Sequence, residues 1–145
     1  MSIFNQRKEG FLNIVSQNKS NVQSHHIISL TFDLEKDCKI LGELMESNPD
    51  IDGFFCHGDK FSVHAMNILR LLGYSVPEQI KLVGFGNNDY TAYTHPKMSS
   101  IDQKCDQMGA LAVEMLLDNI EKQTVIFSQQ VLSPNLITRG SSVNE

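Results

Sequence analysis

The stretch GDKFSVHAMNILRLLGYSVPEQIKLVGFGN, residues 58–87, sets a helix, an abrupt stop, a short apolar strand and a glycine-bearing loop in close succession. Asp59 suits a helix start, where a short carboxylate can cap free backbone N–H groups. Phe61, Ala65, Ile68, Leu69 and Leu72 then recur at helical spacing along one face. Gly73 can take the left-handed conformation just past a helix end, and Pro77 prevents resumption. The run from Ile80 to Phe85 is short and apolar, as suits a strand covered on both faces of a sheet. This is the order of a ligand-binding α/β half-domain.

Working outward, residues 6–18 place Phe11, Ile14 and Val15 on one helical stripe with Arg7 a turn earlier. His26-Ile27-Ile28-Ser29-Leu30 reads as a strand, and Asp33 can cap a following helix whose stripe is Leu34, Cys38, Leu41 and Met45. Asn48-Pro49-Asp50 ends that helix, and Gly53-Phe54-Phe55-Cys56 is the next buried strand. Downstream, a polar loop over 87–96 leads to a short strand at Met98-Ser99-Ser100-Ile101. A long helix over 104–122 follows, with Met108, Leu111, Ala112, Met115 and Leu116 on its stripe. The tail over 125–138 alternates enough for one or two strands broken at Pro134. Strands alternating with long helices predict right-handed crossovers and a largely parallel sheet, with ligands beyond the carboxyl ends of its strands. Those ends are Thr31-Phe32-Asp33, His57-Gly58-Asp59 and Gly86-Asn87-Asn88, which should converge on one rim.

With 145 residues, 41% of them apolar, the chain can fill the core of one ordinary domain. A net charge of −5 and scattered Lys and Arg argue against an electrostatic hold on nucleic acid by this segment. No window reaches membrane-spanning length and no signal-like leader is visible, so a cytoplasmic chain with no membrane partner is expected. Cys38, Cys56 and Cys105 are odd in number and far apart, in apolar surroundings that predict reduced, buried thiols. His25 and His26 would point to opposite faces, and His57, His64 and His95 have no carboxylate or cysteine at ligand spacing. Neither a metal nor a cofactor is expected. No Ser-His-Asp order, nucleophile elbow, phosphate-binding glycine loop or carboxylate pair is present, so no catalytic residue is assigned and no enzyme is expected.

Several segments together resemble the effector-binding core of the LacI/GalR family of transcriptional regulators. These are Arg7-Lys8-Glu9-Gly10-Phe11, Phe32-Asp33, Phe55-Cys56-His57-Gly58-Asp59, Leu71-Leu72-Gly73-Tyr74-Ser75-Val76-Pro77, Val83-Gly84-Phe85 and Pro96-Lys97-Met98-Ser99-Ser100-Ile101. The resemblance implies an α/β fold: an incomplete three-layer, parallel-sheet subdomain of the periplasmic-binding-protein-like I type. It covers nearly all of residues 1–145 but only the latter half of the family core. Residues 102–132 would cross toward an N-terminal subdomain, the opposite wall of the cleft, and an exposed apolar stripe on the long helix is the expected consequence. The implied function is sensing of a small-molecule effector, a sugar or a purine-like metabolite, by a homodimer that meets DNA only through an N-terminal helix-turn-helix. Two alternatives stand beside it: a fragment of a sugar-binding protein of a transport system, and a truncated gene product.

The same resemblance nominates Arg7, Phe32, Asp59 and Asn87 as ligand-binding residues. Arg7 matches the family arginine that reaches the effector; a solvated helix-end arginine is the competing reading. Phe32 would offer a ring for stacking, or else belong to the core. Asp59 is explained by a helix cap alone, although it can also orient the loop beside the cleft. Gly86 departs from the family, which commonly carries an effector-gripping Asp after Val-Gly-Phe, and Asn87 or Asn88 would have to substitute. His64 stands where the family has a small residue, which predicts altered packing near the helix start.

Overall fold

The computed structural model describes residues 2–18, 22–23, 26–123 and 127–143. Among these residues four α-helices and four strands follow one another, with a short 3-10 turn at Asp89–Ala92 between β2 and β3: α1 (Ile3–Gln17), α2 (Leu34–Ser47), β1 (Gly53–Phe55), α3 (Asp59–Leu71), β2 (Lys81–Phe85), β3 (Ser99–Asp102), α4 (Cys105–Glu121) and β4 (Asn135–Ile137). The strands lie in the sheet in chain order, β1-β2-β3-β4. β1, β2 and β3 run parallel, with Phe55 beside Val83 and Val83 beside Ser99, while β4 returns antiparallel to β3. The alternation of apolar runs with helical stripes therefore yields the parallel sheet it predicts.

The core lies on one side of the sheet. Leu41, Leu44 and Met45 of α2 meet Met66, Ile68 and Leu69 of α3 over Val76, Ile80, Leu82 and Met98, removing large aliphatic side chains from water. Asp33 caps α2 by accepting from Lys36 N at 3.1 Å, as its position after an apolar run predicts. Gly73, at φ +88, ends α3 in the left-handed region, and Tyr74 N bonds back to Leu69 O.

The opposite face is only half covered. Leu82 and Gly84 of β2 are buried, but Val83 and Phe85 are half-buried, so the expectation of full cover on both faces is corrected. α1 supplies the cover there: Phe11 stacks on Phe55 with ring centroids 5.6 Å apart, and Phe55 meets Phe85 edge-on at 6.4 Å. Arg7, Phe11 and Val15 form the inward line at four-residue spacing, while Ile14, expected inside, points outward. α4 contains no buried residue; Leu111 and Met115 are half-buried, and Met108, Val113, Leu116, Leu117 and Ile120 are exposed. The apolar stripe expected on this helix is thus open. Cys105 at its start is exposed, contrary to the expectation of burial, while Cys38 and Cys56 are half-buried, and all three are free thiols.

Two expected strands differ. Residues 26–30 form no sheet pairing; a cleft of about 940 Å³ separates them from β1. The reason is competition from α2 at both ends of the segment. His26 Nε2 bonds Asn48 Oδ1 at 3.0 Å near the end of α2, and the backbone at Thr31 and Phe32 donates to Asp37 in its first turns. In the tail, only β4 pairs among the described residues; positions 124–126 of the expected alternation lie outside them. No helix among the described residues is long and apolar enough to cross a membrane.

Beyond β4 the chain tucks between β2 and β3. Ser141 accepts from Ser99 N at 2.8 Å and donates to Leu82 O at 2.7 Å, and its own carbonyl accepts from Leu82 N. Such pairing fills the backbone sites left at the sheet's amino end.

Candidate ligand-binding rim

The rim is organised by a buried carboxylate. Asp59 is 2% exposed and is the first residue of α3, not its cap. Gly58, in extended conformation, takes the cap position with no side-chain bond, which frees the Asp59 carboxylate to turn inward. There it accepts from Asn88 N at 2.8 Å, Asn88 Nδ2 at 2.9 Å and Ser100 Oγ at 2.5 Å. Burying a charge is costly unless it is fully hydrogen-bonded, and these donors come from the loop after β2 and from β3. The arrangement demands glycine at two places. A Cβ on Gly84 would collide with Asp59 Oδ1 and Ser62 Oγ, and one on Gly86 would come within 2.8 Å of Asn88 Nδ2 at a φ of +129.

Arg7 reaches the same rim from α1. Its guanidinium lies over the Phe85 ring at 3.8 Å, donates to His57 O at 2.6 Å and to Gln103 Oε1 at 3.1 Å. Burial lowers its pKa, and the charge of Asp59 opposes that shift. The Cys56 thiol, just before the rim, is pushed up to about 12 by burial first and by the Asp59 charge second, so it is an unreactive neighbour.

Asn87 sits at φ 53, its N–H donating to Ser100 Oγ at 2.9 Å and its Oδ1 accepting from Arg139 Nη2 at 2.8 Å. Arg139 also donates to Met98 O at 2.7 Å, so the tail clasps the loop through this one side chain. The side-chain oxygens of Asp59 and Asn87 are therefore already engaged within the protein. Their geometry is that of groups that hold the loop in place.

Phe32 is half exposed and in the left-handed region at φ 66, unusual for a bulky residue. Asp37, with no exposed surface, holds it there. Its carboxylate accepts from Phe32 N at 2.8 Å, from Thr31 N and Oγ1, and pairs with His64 Nε2 at 2.9 Å. Burial alone would raise the Asp37 pKa; the bonds from Thr31, His64 and Phe32 outweigh it, and the group titrates below its ordinary value.

Between these anchors runs a line of rings. Phe4 meets His57 at 4.7 Å, His57 meets Phe61 at 4.5 Å, and Phe61 meets Phe32 at 4.6 Å. A hollow of about 250 Å³ opens beside it, lined among others by His57, Phe61, Phe85, Asn88 and Tyr90. His57 Nδ1 is buried there with no hydrogen-bond partner among the described residues. The three loops nominated from sequence thus do meet, with Arg7 and Phe32 at opposite ends of the ring line. Asp37, Arg139 and the aromatic role of Phe4 were not nominated. Asp37 lies in the first turn of α2, where an acidic residue needs no distant partner, and the partners of Arg139 lie about forty to fifty residues away in sequence. Among the described residues no group of three or more His, Cys, Asp or Glu side chains could hold a metal ion.

The family profile described as a periplasmic binding protein-like domain matches residues 2–142. The chain belongs to this family. Its relatives include the ribose operon repressor of Haemophilus influenzae, 27% identical over 97% of this chain and 42% of the repressor. The transcriptional repressor CytR of Escherichia coli is 27% identical over 98% of this chain and 42% of its own length. Among solved structures, the complex of the transcriptional regulator CelR with cellobiose superposes with a TM-score of 0.78 at 25% identity, covering 94% of this chain and 42% of that one. The chain therefore spans less than half the length of these relatives and corresponds to part of their core domain.

Within this periplasmic binding protein-like domain, two rim features generate tests. Gly86→Asp should lower stability by about 1–3 kcal/mol through backbone strain and the clash with Asn88. Urea denaturation measures this, and an unchanged midpoint would contradict the geometry.

For Asp37, a folded pKa held below the unfolded 3.8 means its stabilisation is complete above that value and is lost as pH falls through the folded pKa. Unfolding midpoints recorded from neutral pH down to about pH 3 should drop less steeply in Asp37→Asn than in the parent. At neutral pH the same variant should be less stable by about 1.5–3 kcal/mol, the range for hydrogen bonds to a charged group.

Proposed function

We propose that this chain is the effector-sensing part of a LacI/GalR-type transcriptional regulator, and that the rim takes one face of a small ring-shaped metabolite, a sugar or a purine-like compound. The observation that carries the reading is Arg7. Its guanidinium is anchored on Phe85, His57 O and Gln103 Oε1, and of its five N–H groups these bonds engage two, beside a line of aromatic rings. Aromatic faces suit the flat or C–H face of a ring, and guanidinium donors suit hydroxyl or carboxylate oxygens. Arg7 and Phe32 contact the ligand in this reading, while Asp59 and Asn87 hold the loop that shapes the pocket. The rim performs no bond chemistry; it binds.

The relatives support regulation over transport, since the ribose operon repressor, CytR and CelR are all named as repressors or regulators. In a complete regulator, effector bound between two subdomains changes their relative angle and shifts the population of DNA-binding-competent dimers. The DNA contact belongs to a helix-turn-helix elsewhere in such a regulator; the net charge of −5 favours that division of labour. The open apolar face of α4 supports packing against the second subdomain.

Calorimetric titration of the full chain with cellobiose, ribose and adenosine tests the binding claim. At least one probe should bind, and Arg7→Ala should weaken it roughly ten- to hundred-fold, the worth of a hydrogen bond to a charged group. Silence from all three probes, or affinity indifferent to Arg7, would overturn the assignment.

A further inference from the structure

His64 stands in the second turn of α3, on the side that faces the Phe32 loop. The structure gives it a specific occupation. Its Nε2 lies 2.9 Å from Asp37 Oδ2, and its ring sits 5.0 Å from the Phe32 ring. Asp37 in turn receives the backbone N–H groups of Thr31 and Phe32, so one buried carboxylate joins the backbone of the Phe32 loop to the side chain that backs the Phe32 ring. Phe61 closes the other side of that ring at 4.6 Å.

Phe32 cannot reach this position unaided. A bulky residue at φ 66 occupies a sparsely populated region and persists only where its surroundings over-determine it. Here three bonds from Thr31 and one from Phe32 converge on Asp37, and two rings brace the side chain. The side chain of His64 is itself largely enclosed, at 15% exposure, and Asp37 has none, so water competes poorly for their bond.

We propose that Asp37 and His64 are a positioning pair that fixes Phe32 as the stacking wall of the rim, and so sets its preference for ligands with a flat or apolar ring face. The ligand half of this statement rests on the proposed effector-binding function; the positioning half does not. His64 contributes twice, as hydrogen-bond partner to Asp37 and as a ring against Phe32. Removing the donor releases the loop, whereas replacing the ring by an amide of similar reach keeps the loop in place.

The chain has no tryptophan, so Phe32→Trp introduces a unique fluorescent reporter at the wall itself. In that background, His64→Leu and Asp37→Asn should shift indole emission to the red and increase quenching by acrylamide. His64→Gln, which retains an N–H donor toward Asp37 but loses the ring, should give emission and quenching between those of the parent and His64→Leu. Circular dichroism verifies that each variant is folded, and His64→Leu decides the matter should Asp37→Asn unfold. Indole accessibility unchanged in the folded His64→Leu variant would overturn the positioning role.

With Phe32 intact, calorimetric titration with adenosine, cellobiose and ribose should show the affinity of whichever binds reduced roughly three- to ten-fold in His64→Leu, the worth of one ring contact with Phe32, and partly rescued in His64→Gln. A shifted indole together with no binding of adenosine, cellobiose or ribose to the parent would overturn the ligand half and the proposed function, while leaving the positioning pair standing.

Discussion

The buried carboxylate of Asp59 is the constraint on which the rim depends. It is almost fully enclosed and tied by donors from the loop after β2 and from β3, so those two segments and the start of α3 are held as one unit. The glycines at 84 and 86 follow from it, because the space their side chains would take belongs to the carboxylate and its partners. Arg7 then arrives from α1 as the opposite charge, with Phe85 as its platform. At position 86 the Asn88 amide, pinned to Asp59, stands where a side chain would begin.

A second carboxylate, Asp37, performs the matching task at the far end of the ring line. The two differ in what they gather. Asp59 draws together the carboxyl ends of neighbouring strands, whereas Asp37 captures a loop that has no strand to hold it. Between them the side chains are aromatic, from Phe4 through His57 and Phe61 to Phe32. An aromatic floor with a charged donor at one end is suited to a ligand that is a ring with polar edges.

The order of elements was legible in the sequence because helical and strand periodicities are local. The stripes of α2 and α3, the stop at Gly73 and the apolar run of β2 all appear where their spacing places them. What failed were features decided by partners distant in the chain. Residues 26–30 have the composition of a strand, but polar tethers to both ends of α2 keep them from the edge of β1. Asp59 has the sequence context of a cap, yet its carboxylate is drawn inward by Ser100 and Asn88, neither of which is visible from local pattern. Asn87 was nominated for a ligand and is engaged by Arg139, some fifty residues downstream. Convergence of the three loops could be foreseen from the strand ends; the identities of the side chains left facing solvent could not.

The central claim is that this rim, and no other surface of the chain, receives the ligand. Backbone and arginine side-chain NMR spectra recorded during titration with cellobiose or adenosine test it most directly. The account predicts shifts concentrated at residues 31–33, 57–61 and 86–90 and at the Arg7 Nε–H. Shifts concentrated instead along the open edge of β1 or on α4, or a spectrum unperturbed by these two compounds and by ribose, would contradict it.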